Sequence, residues 1–241
     1  MNVLCVNLQS KPILFMQRKF VLGDIHGAHK ALVQCLQWSG FNYNEDLLIC
    51  MGDACDRWPE TFNVIEELLK ISHIVFIMGN HDQWALKWFE SGEIPSGWLT
   101  QGGGETIKSY PGTVPESHVE FYQRAVFYHL DENRIFVHGG LKIDSPLKEQ
   151  DEEVFIWDRE LVNRAMINKQ FRKDTKLTSF DEVYVGHTPT IRFGSVKPIN
   201  ACEVWMMDTG AGWDGGYLSI MNIDTKEVFQ SDMVSTLYDA T

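Results

Sequence analysis

The sequence predicts an α/β fold, and three observations support this. The chain has 241 residues, of which 44% are hydrophobic and 22% charged, as in an ordinary globular domain. Short apolar runs of β character alternate with amphipathic helical patterns in the first half, which is typical of βαβ units. Residues 16–241 contain no internal repeat and no low-complexity tract, so we interpret them as one domain.

Five apolar runs are predicted to be buried strands, because each is bounded by Gly, Asp or Asn. They span residues 20–22, 47–51, 74–78, 135–137 and 183–185. Four other segments carry apolar residues at helical spacing. They are centred on residues 32–36, 64–69, 85–89 and 161–166. The chain after residue 183 is predicted to form strands and turns, ending in a hairpin over residues 205–223.

Two segments fall outside this alternation. Residues 92–115 contain six Gly and three Pro, which predicts a long ordered loop of the kind that often carries function. Residues 1–15 lack a basic region and a cleavage site of small residues, so we expect no secretory signal. We interpret residues 1–15 as an N-terminal extension, with translation beginning at Met16 as an alternative.

The charge and cysteine content exclude several classes of protein. The chain has 33 Asp and Glu against 21 Lys and Arg, and its formal net charge of −12 argues against nucleic-acid scaffolds and membranes as partners. No apolar run approaches the ~20 residues of a membrane-spanning helix. The five Cys form no C-x-x-C pair, which argues against a disulfide framework and predicts a cytoplasmic protein.

Each predicted strand is followed at once by a polar cluster. The clusters are Gly23-Asp24-Ile25-His26-Gly27, Gly52-Asp53-Ala54-Cys55-Asp56-Arg57, Gly79-Asn80-His81-Asp82, His138-Gly139-Gly140 and Gly186-His187-Thr188. In α/β sheets, ligands bind beyond the carboxyl ends of the strands. We therefore expect the five clusters to meet in one crevice.

The pooled clusters offer carboxylates, imidazoles and an amide as ligands. A mixed nitrogen and oxygen donor set of this kind suits two six-coordinate divalent ions better than structural zinc. Two such ions, about 3.5–4 Å apart, can activate a bridging water and stabilise an in-line displacement at phosphorus. That chemistry needs a carboxylate shared by the ions, separate imidazole ligands, and cationic groups for the phosphoryl oxygens.

In this order, the motifs GDIHG, GDACDR, GNHD, HGG and GHT resemble those of the calcineurin-like metallophosphoesterases. The resemblance is to the phosphoprotein-phosphatase type in its compact bacterial and phage form, and it extends from Phe20 to about Ser231. It implies a two-sheet β-sandwich flanked by helices. It also implies that a hydroxide bridging two metal ions hydrolyses phosphomonoesters, on a phosphorylated protein or a small phosphoester. Mn²⁺ is the expected ion, with Fe and Zn as alternatives.

The resemblance implies a role for each matching residue. Six residues would hold the metal ions: Asp24 and His26 the first, Asn80, His138 and His187 the second, and Asp53 both. His81 would protonate the leaving oxygen. Asp56 would orient the His81 ring and stabilise its imidazolium form. Arg57 and Arg159 would bind phosphoryl oxygens, whose geometry matches the guanidinium fork.

Three departures from the family pattern leave alternatives open. Met78 stands where the protein phosphatases usually carry an Arg, Asp82 replaces Glu, and Trp58 replaces Gly. GNHD without a preceding Arg also resembles the motif of the dinucleoside-tetraphosphate hydrolases. Nucleotide hydrolysis is therefore the alternative function. Asp56 argues against it, because that branch tends to lose this acid. A catalytically inactive binding module on the same fold is the alternative of another class, and the oligomeric state is left open.

Two further features are interpreted as structural. Trp58 and Trp157 lie beside the two arginines, and we favour packing over an aromatic wall for a nucleobase or aryl group. The G-x-G-x-x-G match at residues 210–215 is interpreted as a hairpin turn rather than a dinucleotide site, because a strand-like stretch follows it.

Overall fold

The computed structural model describes residues 17–173 and 175–238, so the extension expected over residues 1–15 lies outside the described part. This part contains ten strands: β1 Lys19–Leu22, β2 Leu47–Cys50, β3 Ile74–Phe76, β4 Tyr128–Asp131, β5 Arg134–Val137, β6 Glu182–Val185, β7 Ile199–Ala201, β8 Val204–Met206, β9 Ser219–Asn222 and β10 Val228–Gln230. It also contains seven α-helices: α1 His29–Trp38, α2 Thr61–Leu68, α3 Asn80–Ser91, α4 Gly103–Ser109, α5 Glu116–Gln123, α6 Glu152–Trp157 and α7 Glu160–Gln170.

The strands form two five-stranded sheets, and each contains three parallel strands. The first has the order β10-β9-β1-β2-β3 and the second β4-β5-β6-β8-β7. Strands β1, β2 and β3 run parallel, as do β5, β6 and β8. The remaining four strands pair antiparallel with their neighbours. Six strand ends therefore carry loops that can meet at one edge.

Alternation along the strands explains how the two sheets pack. In β1, Val21 belongs to the apolar layer that also contains Phe136 and Tyr184 of the other sheet. Phe20 and Leu22 point to the opposite face and pack with residues of α1 and α2. Helix α7 covers the second sheet in the same way. The predicted two-sheet sandwich flanked by helices is confirmed.

The structure corrects two predictions about the chain's irregular parts. Residues 92–115 are not a single loop, because they contain a 3₁₀ turn, Leu99–Gln101, and helix α4. Gly is a poor helix former, but packing of α4 against the buried Trp98 overrides that preference. Residues 205–223 are not a hairpin, since β8 and β9 lie in different sheets.

The actual hairpins in this region are β7–β8 and β9–β10. The G-x-G-x-x-G segment leads into strand β9 and not into a helix, which argues against a dinucleotide site. It connects strands of two different sheets, so its interpretation as a hairpin turn is wrong. Among the described residues, no helix is both long enough and apolar enough to cross a membrane.

Candidate metal centre and phosphate site

The segments that follow the parallel strands converge on one cavity of about 480 Å³. Its lining includes residues from four of the five polar clusters, namely His26, Asp53, Arg57, Asn80, His81 and His187. His138, from the remaining cluster, is fully buried behind them and lies 3.4 Å from Asp53 through Nε2 and Oδ2. The expected single crevice is therefore present.

The loops that present these side chains have an unusual backbone. His26, Asp53, Asp56, Arg57 and His187 all have φ between 49° and 75°, in the left-handed region. Non-glycine residues rarely adopt this conformation, and such positions cluster at functional sites. The backbone strain is therefore concentrated in the residues predicted to carry the chemistry.

Asp53 lies at the centre of two groups of potential metal ligands. One group combines it with His26 and His81, the other with His138 and His187, and the ligand atoms within each group lie within 4.8 Å of one another. His26 Nε2 is 3.8 Å from Asp53 Oδ2. A carboxylate shared by two ligand groups is the arrangement that a dinuclear site requires.

Asp24 and Asn80 contact the histidines of the second ligand group. Asp24 Oδ2 accepts a hydrogen bond of 2.8 Å from the backbone N–H of His187, and Asn80 Oδ1 lies 3.2 Å from His138 Nε2. Asp24 Oδ1 and His187 Nε2 are buried and have no hydrogen-bond partner among the described residues. Buried polar atoms of this kind are costly unless satisfied, so the donor set fits bound cations.

The electrostatics of the pocket also suit cations. Burial raises the pKa of Asp24 well above its ordinary value, and the charge of Asp208 adds to the shift. Burial lowers the pKa of His26 to about 3, which leaves a neutral imidazole. Burial also lowers the pKa of His138, but the charge of Asp53 outweighs it and raises the value to about 10. That imidazole must lose a proton before it can bind an ion.

His81 and Asp56 form a buried pair at the wall of the cavity. His81 Nδ1 lies 2.5 Å from Asp56 Oδ2. Asp56 also accepts hydrogen bonds from Trp98 Nε1 at 2.7 Å and from Thr106 Oγ1 at 2.6 Å. Burial lowers the pKa of His81, but the charges of Asp53 and Asp56 outweigh it and raise the value. Because Asp56 occupies Nδ1, Nε2 is the nitrogen left for a substrate.

Two arginines from the predicted set line the cavity. The Nε atoms of Arg57 and Arg159 are buried and have no hydrogen-bond partner among the described residues. The guanidinium carbon of Arg57 lies 4.9 Å from the ring centre of Trp213. Stacking of this kind holds the guanidinium plane in place and leaves its N–H groups available for an anion.

The three departures from the family pattern have structural explanations. Met78 is buried and is absent from the cavity lining, so no cationic side chain from this position reaches the site. The Asp82 carboxylate accepts hydrogen bonds from the backbone N–H groups of Asp53, Ala54 and Gly79, at 2.6, 2.9 and 3.0 Å. It therefore fixes the loop after β2 against the start of α3.

The tryptophans divide between packing and the cavity. Trp58 stacks on Tyr238 with ring centres 5.0 Å apart and donates a 2.7 Å hydrogen bond to the carbonyl of Ala211. It is absent from the cavity lining, in line with the packing interpretation. Trp157 lines the cavity, so the packing interpretation is wrong for this residue, and Trp213 lines the cavity as well.

Sequence reasoning gave no role to six residues that line the cavity, namely Gln101, Pro189, Ile191, Arg192, Asp208 and Trp213. Asp208 follows β8, the sixth parallel strand, so the strand-end rule could have found it had that strand been recognised. Gln101 and Trp213 lie in glycine-rich segments. No sequence signal pointed to Arg192.

Comparisons with known proteins identify the family to which the chain is similar. Residues 18–223 match the family of calcineurin-like phosphoesterases. The chain is 29% identical over 212 residues to serine/threonine-protein phosphatase 1 of Salmonella typhimurium, which covers 85% of this chain and 91% of the relative. It is 25% identical over 222 residues to the asymmetrical bis(5'-nucleosyl)-tetraphosphatase PrpE of Bacillus cereus, which covers 81% of this chain and 86% of the relative.

A solved structure described as a proposed diadenosine tetraphosphatase has a TM-score of 0.65 and 18% identity, and the match covers 90% of this chain and 94% of that chain. At this identity the likeness establishes the fold. The family match spans most of the chain and includes every polar cluster described above. Members of the family use a dinuclear metal centre, and the two ligand groups around Asp53 provide for one. The chain belongs to the calcineurin-like phosphoesterase family.

Proposed function

We propose that the chain is a dinuclear metal-dependent phosphatase whose substrates are phosphoserine and phosphothreonine in proteins. The buried pair of His81 and Asp56, beside the other potential metal ligands around Asp53, carries the proposal. A serine or threonine alkoxide is a poor leaving group, so it needs a proton as the P–O bond breaks. A positioned imidazole can supply that proton, whereas a departing phosphate group needs it much less.

The residues present fit two divalent ions, and Mn²⁺ is the expected ion. Asp24, His26 and Asp53 would hold one, and the other would be held by Asp53, Asn80, His138 and His187. When bound, such ions activate water and stabilise charge that develops on the phosphoryl oxygens. Two unpartnered buried ligand atoms, Asp24 Oδ1 and His187 Nε2, support this assignment.

The chain's own side chains complete the reaction. The guanidinium groups of Arg57 and Arg159 bind the non-bridging phosphoryl oxygens and orient the phosphorus. His81 Nε2 donates its proton to the leaving oxygen. Asp56 accepts the Nδ1–H of the same ring and so holds it in the productive orientation. The name of the Salmonella relative supports the same substrate class.

Hydrolysis of dinucleoside polyphosphates is the second candidate. It is supported by the absence of a cationic side chain at Met78, by the name of the Bacillus relative, and by two tryptophans on the cavity. Trp157 and Trp213 offer flat apolar faces on which a nucleobase could stack. The expected cytoplasmic location remains a prediction for either function.

A substrate panel separates these functions. Purified protein with added Mn²⁺ is assayed on phosphoserine and phosphothreonine peptides, diadenosine tetraphosphate, mononucleotides and p-nitrophenyl phosphate. We expect kcat/KM to be highest on a phosphopeptide. A value at least tenfold higher on diadenosine tetraphosphate would favour the second candidate. Metal-loaded protein without activity on any ester would instead indicate a binding module.

A further inference from the structure

Arg192 is a third arginine on the cavity, and it lies outside all the motifs described above. It belongs to the 3₁₀ turn Thr190–Phe193, which directly follows the His187 cluster. The turn is anchored to the site, because the buried Thr190 donates its backbone N–H to the carbonyl of Asp208 at 2.8 Å. The side chain of Ile191 packs closely against Gly210. Arg192 is therefore presented from a fixed element and not from a free loop.

No carboxylate of the described residues neutralises the charge of Arg192. Within residues 17–173 and 175–238, no carboxylate forms an ion pair with Arg57, Arg159 or Arg192. Burial lowers the pKa of Arg159, and the positive charge of Arg192 lowers it further, as expected for neighbouring guanidinium groups. Like charges held together are unfavourable, and an anionic ligand relieves the repulsion.

Arg159 and Arg192 differ in their exposure to solvent. Arg159 is partly buried with its Nε enclosed, whereas Arg192 is exposed at the rim of the same cavity. Arg159 is therefore placed to bind a phosphoryl group at the metal-ligand side chains. Arg192 is placed to bind a part of the substrate that would extend from that group towards solvent.

We propose that Arg192 determines substrate specificity by binding a second anionic group, the carboxylate of an acidic side chain next to the phosphorylated residue. The inference rests on the proposed function and narrows its substrates to acidic phosphopeptides. Guanidinium and carboxylate match as a two-pronged hydrogen-bonded pair, and Arg57 and Arg159 are already engaged by the phosphoryl oxygens. The occupant of the rim must therefore be a different part of the substrate.

Binding of two labelled peptides tests this inference. Each carries a non-hydrolysable phosphonate analogue of phosphoserine, flanked by Glu in one peptide and by Gln in the other. Their Kd values are measured by fluorescence anisotropy on the Mn²⁺-loaded protein. We expect the wild-type protein to bind the Glu peptide about fivefold more tightly, which is the upper range for a solvent-exposed ion pair. Arg192→Gln should reduce this ratio to about one.

Arg164→Gln provides the matched control, because Arg164 is an exposed arginine on α7 that is absent from the cavity lining. It should keep the wild-type ratio. Equal binding of the two peptides by the wild-type protein, or a ratio unchanged in Arg192→Gln, would overturn the inference about Arg192. Neither result would affect the proposed function. If neither peptide binds while diadenosine tetraphosphate is hydrolysed, the proposed function fails and the inference falls with it.

Discussion

Asp56 is a buried carboxylate that accepts hydrogen bonds from Trp98 and Thr106 and pairs with His81. Thr106 also accepts a hydrogen bond of 2.8 Å from the backbone N–H of Asp56, so the carboxylate and its loop are fixed together. A buried polar network is stable only when its members are satisfied, and a satisfied network holds its side chains rigidly. The orientation of the His81 ring therefore depends on Trp98, which lies between α3 and α4, and on Thr106 of α4.

Replacing His81 tests its role as the proton donor. We expect His81→Asn to lower kcat on a phosphoserine peptide by about 10²–10⁴-fold, the usual contribution of a positioned general acid. Metal content, measured by elemental analysis, should stay at the wild-type level, because the proposed ligand set omits this residue. A variant that loses its metal along with its activity would show that His81 acts as a ligand instead.

Removing the hydrogen bond from Trp98 tests whether the network orients His81. We expect Trp98→Phe to lower kcat on a phosphoserine peptide about tenfold, since a misaligned acid retains part of its effect. The loss on p-nitrophenyl phosphate should be smaller, because its leaving group needs no protonation. Trp88→Phe, in the same aromatic cluster, is the control and should leave both rates near wild type. Equal losses on both substrates would argue for a general structural effect.

At the residue scale, the sequence predicted the pairing of His81 with Asp56 through the family resemblance, and the structure brings the two side chains together. It could not predict the support from Trp98 and Thr106. Both lie in residues 92–115, whose Gly and Pro content predicted a loop. The segment folds because it packs against the Asp56–Arg57 loop, and such long-range contacts leave no local pattern.

At the scale of elements, the ends of the parallel strands place most of the site. Five of these ends were predicted, because each apolar run is followed by Gly with His, Asp or Asn close by. The sixth, after β8, was missed. Val204–Met206 is only three residues long and precedes Met207, so it resembled one arm of a hairpin rather than a parallel strand. Whether β8 is a parallel strand depends on its pairing with β6, which is distant in the sequence. The spacing of residues along the chain does not reveal that pairing.

Replacing Gly186 tests how closely the ends of the parallel strands approach one another. A methyl group at this position would collide with Asp24 Oδ1. We therefore expect Gly186→Ala to displace the Asp24 carboxylate and to reduce the Mn²⁺ content after dialysis from two ions per chain to one or fewer. Gly112→Ala is the matched control, because nothing lies within 4 Å of its added methyl group. Full metal content in Gly186→Ala would refute the role given to Asp24.

Replacing Asp82 tests whether its hydrogen bonds hold the loop after β2 in place. Its carboxylate accepts three backbone N–H groups, and an Asn side chain would leave at least one of them unpaired. We expect Asp82→Asn to lower the free energy of unfolding by about 1–3 kcal/mol, measured by urea denaturation. Glu93→Gln, at an exposed acid beyond the end of α3, should change it by less than about 0.5 kcal/mol. Equal stability of the two variants would contradict the structural role of Asp82.

At the scale of the whole molecule, the charge distribution separates the site from the surface. The chain carries a formal net charge of −12, yet three arginines line one cavity. Two divalent ions would add four positive charges at the same place. The overall charge thus argues against binding to extended polyanions, while the cavity itself can attract a small anionic group.

Diffraction from crystals soaked in Mn²⁺, measured near the manganese absorption edge, tests the dinuclear site most directly. The proposed ligand set predicts two anomalous peaks about 3.5–4 Å apart, with the Asp53 carboxylate between them. One peak should lie beside Asp24 and His26, and the other beside His138 and His187. A single peak, or peaks remote from Asp53, would contradict a two-metal phosphatase.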